Sequence, residues 1–154
     1  MIRLVCGLML VLFILVPSFA QQPLVGTYKF ITQIRVLDGL PAENMGKAPK
    51  GYLVLTPTRA VLFFTAENRK FGTAEADKAA LLDSLVAWAG PYKVEGNKLT
   101  VRVNASWTEM WNGKDMVRTW ELSGNRLTLT SGSEPYARDP SKMVTVKTVW
   151  EKIE

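Results

Sequence analysis

The sequence contains no histidine, and its single cysteine, Cys6, lies inside an N-terminal apolar run. Without these residue types, histidine-based triads, thiol nucleophiles in the main part of the chain and the common zinc ligand sets are excluded. Proton chemistry is therefore restricted to Asp, Glu, Tyr, Lys and Arg. We expect no metal, no cofactor and no intramolecular disulfide.

The chain also lacks a second long apolar run and a basic tract. No apolar stretch after residue 20 is long enough to cross a bilayer. The formal net charge is +5, but the Lys and Arg residues are scattered singly along the chain. This spacing is typical of a solvated surface, so we expect neither a nucleic-acid partner nor a transmembrane segment in the mature protein.

The first residues have the pattern of an export signal. Arg3 precedes an apolar run over 4–16, and the small residue Ala20 ends the segment a few positions after a proline. We therefore predict a cleavable signal peptide over residues 1–20 and export to the periplasm or the cell exterior. The remaining residues, 21–154, have ordinary single-domain length and contain no linker or repeat.

Most of the remaining chain has the pattern of β-strands. Residues 26–36 alternate between two faces, and we expect the face of Tyr28, Phe30, Thr32, Ile34 and Val36 to be buried. Further strands are predicted over 51–56, 60–65, 92–95, 98–106, 115–122, 126–131 and 143–150.

One helix interrupts these strands. Thr73 is a plausible N-cap, Leu81, Leu82, Leu85 and Trp88 recur at helical spacing, and Gly90 with Pro91 ends the run. The predicted fold is all-β: an up-and-down antiparallel barrel of about eight strands, with this amphipathic helix between the third and fourth strands. We expect the apolar helix face to pack on the rim of the barrel.

The lengths of the connections predict a cup. If strands alternate in direction, the short turns near Pro57, Gly96 and Gly124 fall at one end of the barrel. The long connections then gather at the opposite end. Because loops on a rigid scaffold commonly carry binding residues, we expect a ligand site at that elaborated end.

Several short motifs resemble those of the lipocalin-like domain family of bacterial and fungal proteins. They are LVGTY at Leu24, GYL at Gly51, GPY at Gly90, RTW at Arg118 and LTL at Leu127. The resemblance implies a lipocalin-like barrel over the mature chain. A position that is commonly Trp is Tyr28 here, and a histidine of many members is absent, so no histidine-dependent activity is carried over.

These observations predict an exported protein that binds a small apolar or amphipathic molecule inside the barrel. The candidate ligand-binding residues are aromatics of the strands and of the helix face, one valine of the strand 98–106, the apolar residues of the 107–114 connection and one inward arginine: Phe30, Phe64, Trp88, Tyr92, Val103, Trp107, Met110, Trp111, Arg118 and Trp120. The parity of Arg118 with Met116 and Trp120 places its guanidinium inside, where it needs a partner.

Two interpretations stay open for Arg118 and for the connection. Arg118 either anchors an anionic ligand group or stacks structurally on Tyr28 or Trp120 near the tight end. The connection 107–114 either lines a ligand site or folds down as a plug. Two other functions also stay open, although no catalytic residue is assigned: a cofactor-free isomerase or cyclase using Glu109, Tyr92 and Arg118, and an envelope protein-interaction module.

Overall fold

The computed structural model describes residues 24–42 and 45–154. The predicted signal peptide lies outside the described residues. Within them the elements are β1 (Gly26–Leu37), β2 (Leu40–Ala42), β3 (Lys50–Leu55), β4 (Arg59–Thr65), α1 (Glu75–Asp83), β5 (Leu85–Glu95), β6 (Lys98–Arg102), β7 (Ala105–Ser106), β8 (Asp115–Ser123), β9 (Arg126–Ser131), β10 (Glu134–Tyr136) and β11 (Asp139–Lys152). In this part of the chain, no helix is both long and apolar enough to cross a bilayer.

Eight of the strands form a closed antiparallel barrel, which confirms the predicted fold class. Strands β1, β3, β4, β5, β6, β8, β9 and β11 pair in this order, and β11 pairs with β1 to complete the circle. The tight turns after β3, β5 and β8 lie at one end, which we call the closed end. The longer connections after β1, β4, β6 and β9 lie at the other, the open end. The predicted cup is therefore present.

Aromatic side chains fill the barrel towards the closed end. Phe30 stacks on Phe64 with ring centroids 4.3 Å apart, and Trp150 lies 4.7 Å from Phe30. The Trp150 indole is fully buried and donates a hydrogen bond to the Thr148 hydroxyl at 2.8 Å. This part of the barrel is a packed core with its buried indole N–H satisfied.

A bulge in β1 overturns part of the predicted alternation. The pairing with β11 shifts register between Phe30 and Thr32, so one extra residue exchanges the two faces beyond this point. Gln33 is buried and Arg35 lines the interior, whereas Ile34 is 54% exposed. The prediction that Ile34 faces inward is therefore wrong, because the strand does not keep a strict period of two.

The helix is shorter than predicted and is not packed into the core. It spans Glu75–Asp83 with Ala74 rather than Thr73 at its N-cap, and none of its residues is buried. Leu85 and Trp88 belong instead to β5, where Val86, Trp88 and Tyr92 point inward. Every residue from 85 to 89 is apolar, so the sequence alone does not show the period of two that appears in the burial pattern.

Two glycines of the family-like motifs allow strands to approach closely. A Cβ at Gly90 would collide with the Arg102 carbonyl, and a Cβ at Gly51 would collide with the Phe64 backbone and side chain. The Gly90 contact lies where the strand predicted over 98–106 is interrupted, since β6 ends at Arg102 and β7 resumes at Ala105. These positions need the absence of a side chain rather than an unusual backbone angle.

Candidate functional site

A cavity of about 70 Å³ lies in the open half of the barrel. Its walls are mainly apolar, and include Leu62, Phe64, Val86, Trp88, Met116 and Leu129. Its mouth is polar, and carries Arg35, Arg118, Glu134, Tyr136 and Arg138. An apolar chamber with a few converging polar groups is the usual composition of a small-molecule site.

Arg118 is paired with Glu134. Its two terminal nitrogens donate to the two carboxylate oxygens of Glu134, each at 2.9 Å, and one also donates to the Val117 carbonyl. The side chains are 13% and 29% exposed, so the pair is only partly hydrated. The inward direction predicted for Arg118 is therefore present, but the partner is a carboxylate of β10 rather than the ring of Tyr28 or Trp120. A two-point pair of this kind fixes both side chains and joins β10 to the barrel wall.

A second polar group surrounds Tyr136. The Tyr136 hydroxyl accepts hydrogen bonds from Arg35 at 3.3 Å and from Arg138 at 3.4 Å. Both guanidinium carbons also lie near the phenol ring, at 5.5 and 5.7 Å from its centroid. We call Arg35, Tyr136 and Arg138 the mouth triad. It brings two cations to a single phenol oxygen at the rim of the cavity.

Arg138 is further held by the open-end connections. One terminal nitrogen donates to the backbone carbonyls of Asp83 and Leu85. Its guanidinium carbon lies 4.9 Å from the centroid of the Trp107 ring, a cation–π contact. The side chain is therefore held in place before any ligand binds, which reduces the entropy lost on binding.

The connection between β7 and β8 folds down onto the barrel. Trp107 and Trp111 are partly buried against the core and meet edge to face at 5.9 Å. Backbone hydrogen bonds from Trp111 to Thr108 and from Lys114 to Trp111 tighten the connection into turns. Trp111 lines the cavity. The connection thus folds down onto the barrel and also contributes one wall of the cavity.

A family model described as "Lipocalin-like domain" matches residues 25–153. The chain belongs to this family. Among curated proteins, no match is found. The match covers every strand of the barrel, from Gly26 of β1 to Lys152 of β11, so the fold and the sequence comparison describe the same unit.

The lipocalin-like barrel brings together only some of the predicted ligand residues. Phe64, Trp88, Trp111 and Arg118 line the cavity. Phe30 lies one layer deeper, stacked beneath Phe64. The other predicted residues belong to the core, the closed end or the covering loop and do not line the cavity: Tyr92, Val103, Trp107, Met110 and Trp120.

Tyr92 shows that an inward-facing position on a strand is not enough to place a residue in the cavity. Its hydroxyl donates to the Thr56 carbonyl at 2.9 Å, in the turn between β3 and β4 at the closed end. It therefore lies at the opposite end of the barrel from the mouth triad. Trp120 also lies towards that end, with its backbone N–H donating to the Asn97 carbonyl.

Sequence reasoning missed most of the polar mouth. Glu134, Tyr136 and Arg138 lie in a segment predicted only as a long connection, and Arg35 was assigned to the outer face. A usable signal was present, because residues 134–138 place an aromatic between charged residues in a connection at the open end. Pairing of Glu134 with Val144 in the β10–β11 hairpin brings this segment over the barrel mouth.

The alternative functions receive no support from the residues on which they depended. Glu109 is exposed and accepts a hydrogen bond from the Asn112 amide, so it does not face the cavity with Arg118. Trp111 lines the cavity rather than standing out as a docking residue. Among the described residues, no three potential metal-ligating side chains are grouped.

Proposed function

We propose that this protein binds a small apolar or amphipathic molecule in the open half of its barrel. The observation that carries the proposal is the cavity itself, which has apolar walls below and a polar mouth above. Apolar walls favour transfer of a hydrocarbon body from water, and the mouth groups supply orientation. The lipocalin-like fold supports ligand binding in general. The apolar walls and polar mouth of the cavity favour an apolar or amphipathic ligand.

The volume of the cavity limits the ligand. A space of about 70 Å³ holds only a few water molecules, since about 10–15 Å³ of such space admits one. A larger ligand therefore needs the covering connection, residues 107–114, to move outward. This connection lies at the open end, whereas apolar side chains such as Trp150 and Leu53 pack the closed end.

Binding is tested by filling the cavity. Val144 lines it, so Val144→Phe should occupy the space, whereas Val117→Phe adds the same ring to the outer face of β8, where Val117 is 45% exposed. Native mass spectrometry of protein purified from its own host would detect a co-purifying molecule, and titration with an apolar fluorescent dye would measure affinity. We expect Val144→Phe to weaken dye binding at least about tenfold, and Val117→Phe to leave it unchanged.

Two results would count against the proposal. Equal dye affinity in the two folded variants would place the dye elsewhere. Absence of both a co-purifying molecule and dye binding in the wild-type protein would leave the cavity as a packing defect only. Circular dichroism of both variants confirms that the barrel is intact before either result is used.

We also propose export, with the mature chain starting at Gln21 and residing in the periplasm or outside the cell. The support is the pattern of residues 1–20: a cation, an apolar run and a small residue before the cut. Expression of the complete sequence in a secretion-competent host, followed by intact-mass measurement, tests it. We expect the mass of residues 21–154, and a full-length mass in the cytoplasmic fraction would contradict the proposal.

A further inference from the structure

The mouth triad has the chemistry of an anion site. Arg138 and Arg35 both donate to the Tyr136 hydroxyl, at 3.4 and 3.3 Å. Two like charges that share one neutral oxygen repel each other, and an anion placed between them would reduce that repulsion. The phenol oxygen already accepts two hydrogen bonds, and its own hydrogen meets no acceptor in the described part of the chain. That hydrogen can be donated to a bound anion.

Arg138 retains unused donor capacity. Its Nε is buried and makes no hydrogen bond within the described residues. The nearest carboxylate oxygen, on Asp83, lies 3.9 Å from this nitrogen, and the Asp83 side chain is 66% exposed. A buried guanidinium N–H without an acceptor is costly, so a ligand that supplies an acceptor gains this interaction.

Arg118 differs from the mouth triad although it lines the same cavity. Both of its terminal nitrogens are occupied by Glu134, each at 2.9 Å. A ligand would have to displace that carboxylate to use Arg118. The Nε of Arg138 and the hydroxyl hydrogen of Tyr136 are donors that need no such displacement, and Arg35, which also donates to Gln33 at 2.9 Å, adds its charge beside them.

The bulge in β1 is what brings Arg35 to this position. Without the register shift between Phe30 and Thr32, Arg35 would lie on the outer face of the barrel. Bulges commonly redirect a side chain next to a functional site. The bulge and the β10–β11 hairpin thus place three polar side chains from two distant parts of the chain at one rim.

We propose that the ligand carries a carboxylate, held by Arg138, Tyr136 and Arg35, with its hydrocarbon part directed into the cavity. This inference rests on the proposed binding function and specifies its ligand class. A planar carboxylate matches the fork of guanidinium donors, and the apolar walls of Leu62, Phe64 and Leu129 receive the chain. Because a ten-carbon chain is larger than the space of about 70 Å³, the connection 107–114 must move outward to admit it, while the mouth triad keeps its place.

A matched pair of probes tests the proposal. Decanoate and decanol have the same chain length and differ in the head group, so their affinities measured by calorimetry separate chain binding from carboxylate recognition. We expect decanoate to bind at least about tenfold more tightly than decanol. Arg138→Met should remove most of that preference, because it should weaken decanoate binding much more than decanol binding.

Two further variants keep the test decisive. Tyr136→Phe removes only the hydroxyl and should weaken decanoate binding several-fold, which covers the case in which Arg138→Met does not fold. Arg102→Met is the control, because Arg102 is an exposed residue paired with Asp115 on the outer face. It should leave both affinities unchanged, which shows that loss of net charge alone is not the cause.

The outcomes distinguish failure of the carboxylate site from failure of the binding function itself. If decanoate and decanol bind equally and neither mouth variant changes this, the carboxylate site is wrong while the binding function stands. If neither probe binds and the dye also fails, the proposed function and this inference fail together. A decanoate preference that survives both mouth variants would also overturn the assignment of the triad.

Discussion

The two halves of the barrel use the same eight strands for different purposes. Towards the closed end, inward positions carry fully buried apolar side chains such as Trp150, Tyr28 and Leu53. Towards the open end, the corresponding positions carry Gln33, Arg35 and Arg118 around a cavity. Packing is therefore concentrated in one half and the proposed binding site in the other, so we expect substitutions in the two halves to produce different defects.

The largest expected effect is in the packed half. Trp150→Ala removes a fully buried ring that contacts Phe30 and Phe64, and should lower the free energy of unfolding by about 3–5 kcal/mol. Urea denaturation followed by circular dichroism measures the change. Lys147→Ala, an exposed position on the same strand, is the control and should change stability by less than about 0.5 kcal/mol.

An intermediate effect is expected at the ion pair of the open half. Glu134→Gln leaves the guanidinium of Arg118, 13% exposed, without its counter-charge, and should cost about 1–3 kcal/mol of unfolding free energy. The double variant Glu134→Gln, Arg118→Met should lose less stability than the sum of the two single variants, because it no longer buries an unpaired guanidinium. Strict additivity would contradict a direct coupling. Glu95→Gln, in the exposed pair with Lys93, is the comparison and should cost less than about 1 kcal/mol.

A smaller effect should appear at alkaline pH in the closed half. Burial raises the pKa of Tyr28, and the nearby Tyr92 adds to the shift. The folded state therefore favours the neutral phenol, which contributes to the free energy of unfolding. This stabilisation is complete below the unfolded pKa of about 10 and is lost as pH rises through the higher folded pKa.

Tyr28→Phe tests that contribution. The variant also loses the hydrogen bond to the Leu24 carbonyl, so it should be about 1 kcal/mol less stable at neutral pH. Its urea midpoint should then fall less steeply than that of the wild-type protein above pH 10. Tyr52→Phe, at an exposed ring, should keep the wild-type slope.

The smallest effect is expected in the helix. Leu82 is 51% exposed and no residue of α1 is buried, so Leu82→Ser should change stability by less than about 0.5 kcal/mol. Thermal unfolding monitored by tryptophan fluorescence is a suitable measurement. A loss above about 1 kcal/mol would mean that the helix packs on the rim after all.

The fold was predictable because turns and alternation are local signals. The turns at Gly96 and Gly124 and the alternation around Tyr28 depend only on neighbouring residues, and together they gave the closed and open ends of the barrel. The predicted end of the helix was wrong, also for a local reason. The uniformly apolar segment 85–89 satisfies both helical and strand periodicity, and only its pairing with β4 decides between them.

The site was harder to predict because its residues meet through long-range pairing. Arg35 reaches the cavity only because a bulge shifts its register against β11. Glu134 lies 16 positions from Arg118 and was placed in a connection without structure. Inward parity correctly placed Arg118, but it does not distinguish a residue at the mouth from one at the closed end such as Tyr92.

The pairing of the first strand with the last has a consequence for how the chain folds. Lys152 donates to the Val25 carbonyl, 127 positions away, and β1 pairs with β11 along most of its length. Contacts between sequence-distant segments form late and slow the search, so we expect folding in milliseconds to seconds rather than microseconds. Until the final residues are available, β1 and β9 would each present an unpaired edge. The nascent chain therefore depends on β11 to cover both edges and protect it from association with other chains.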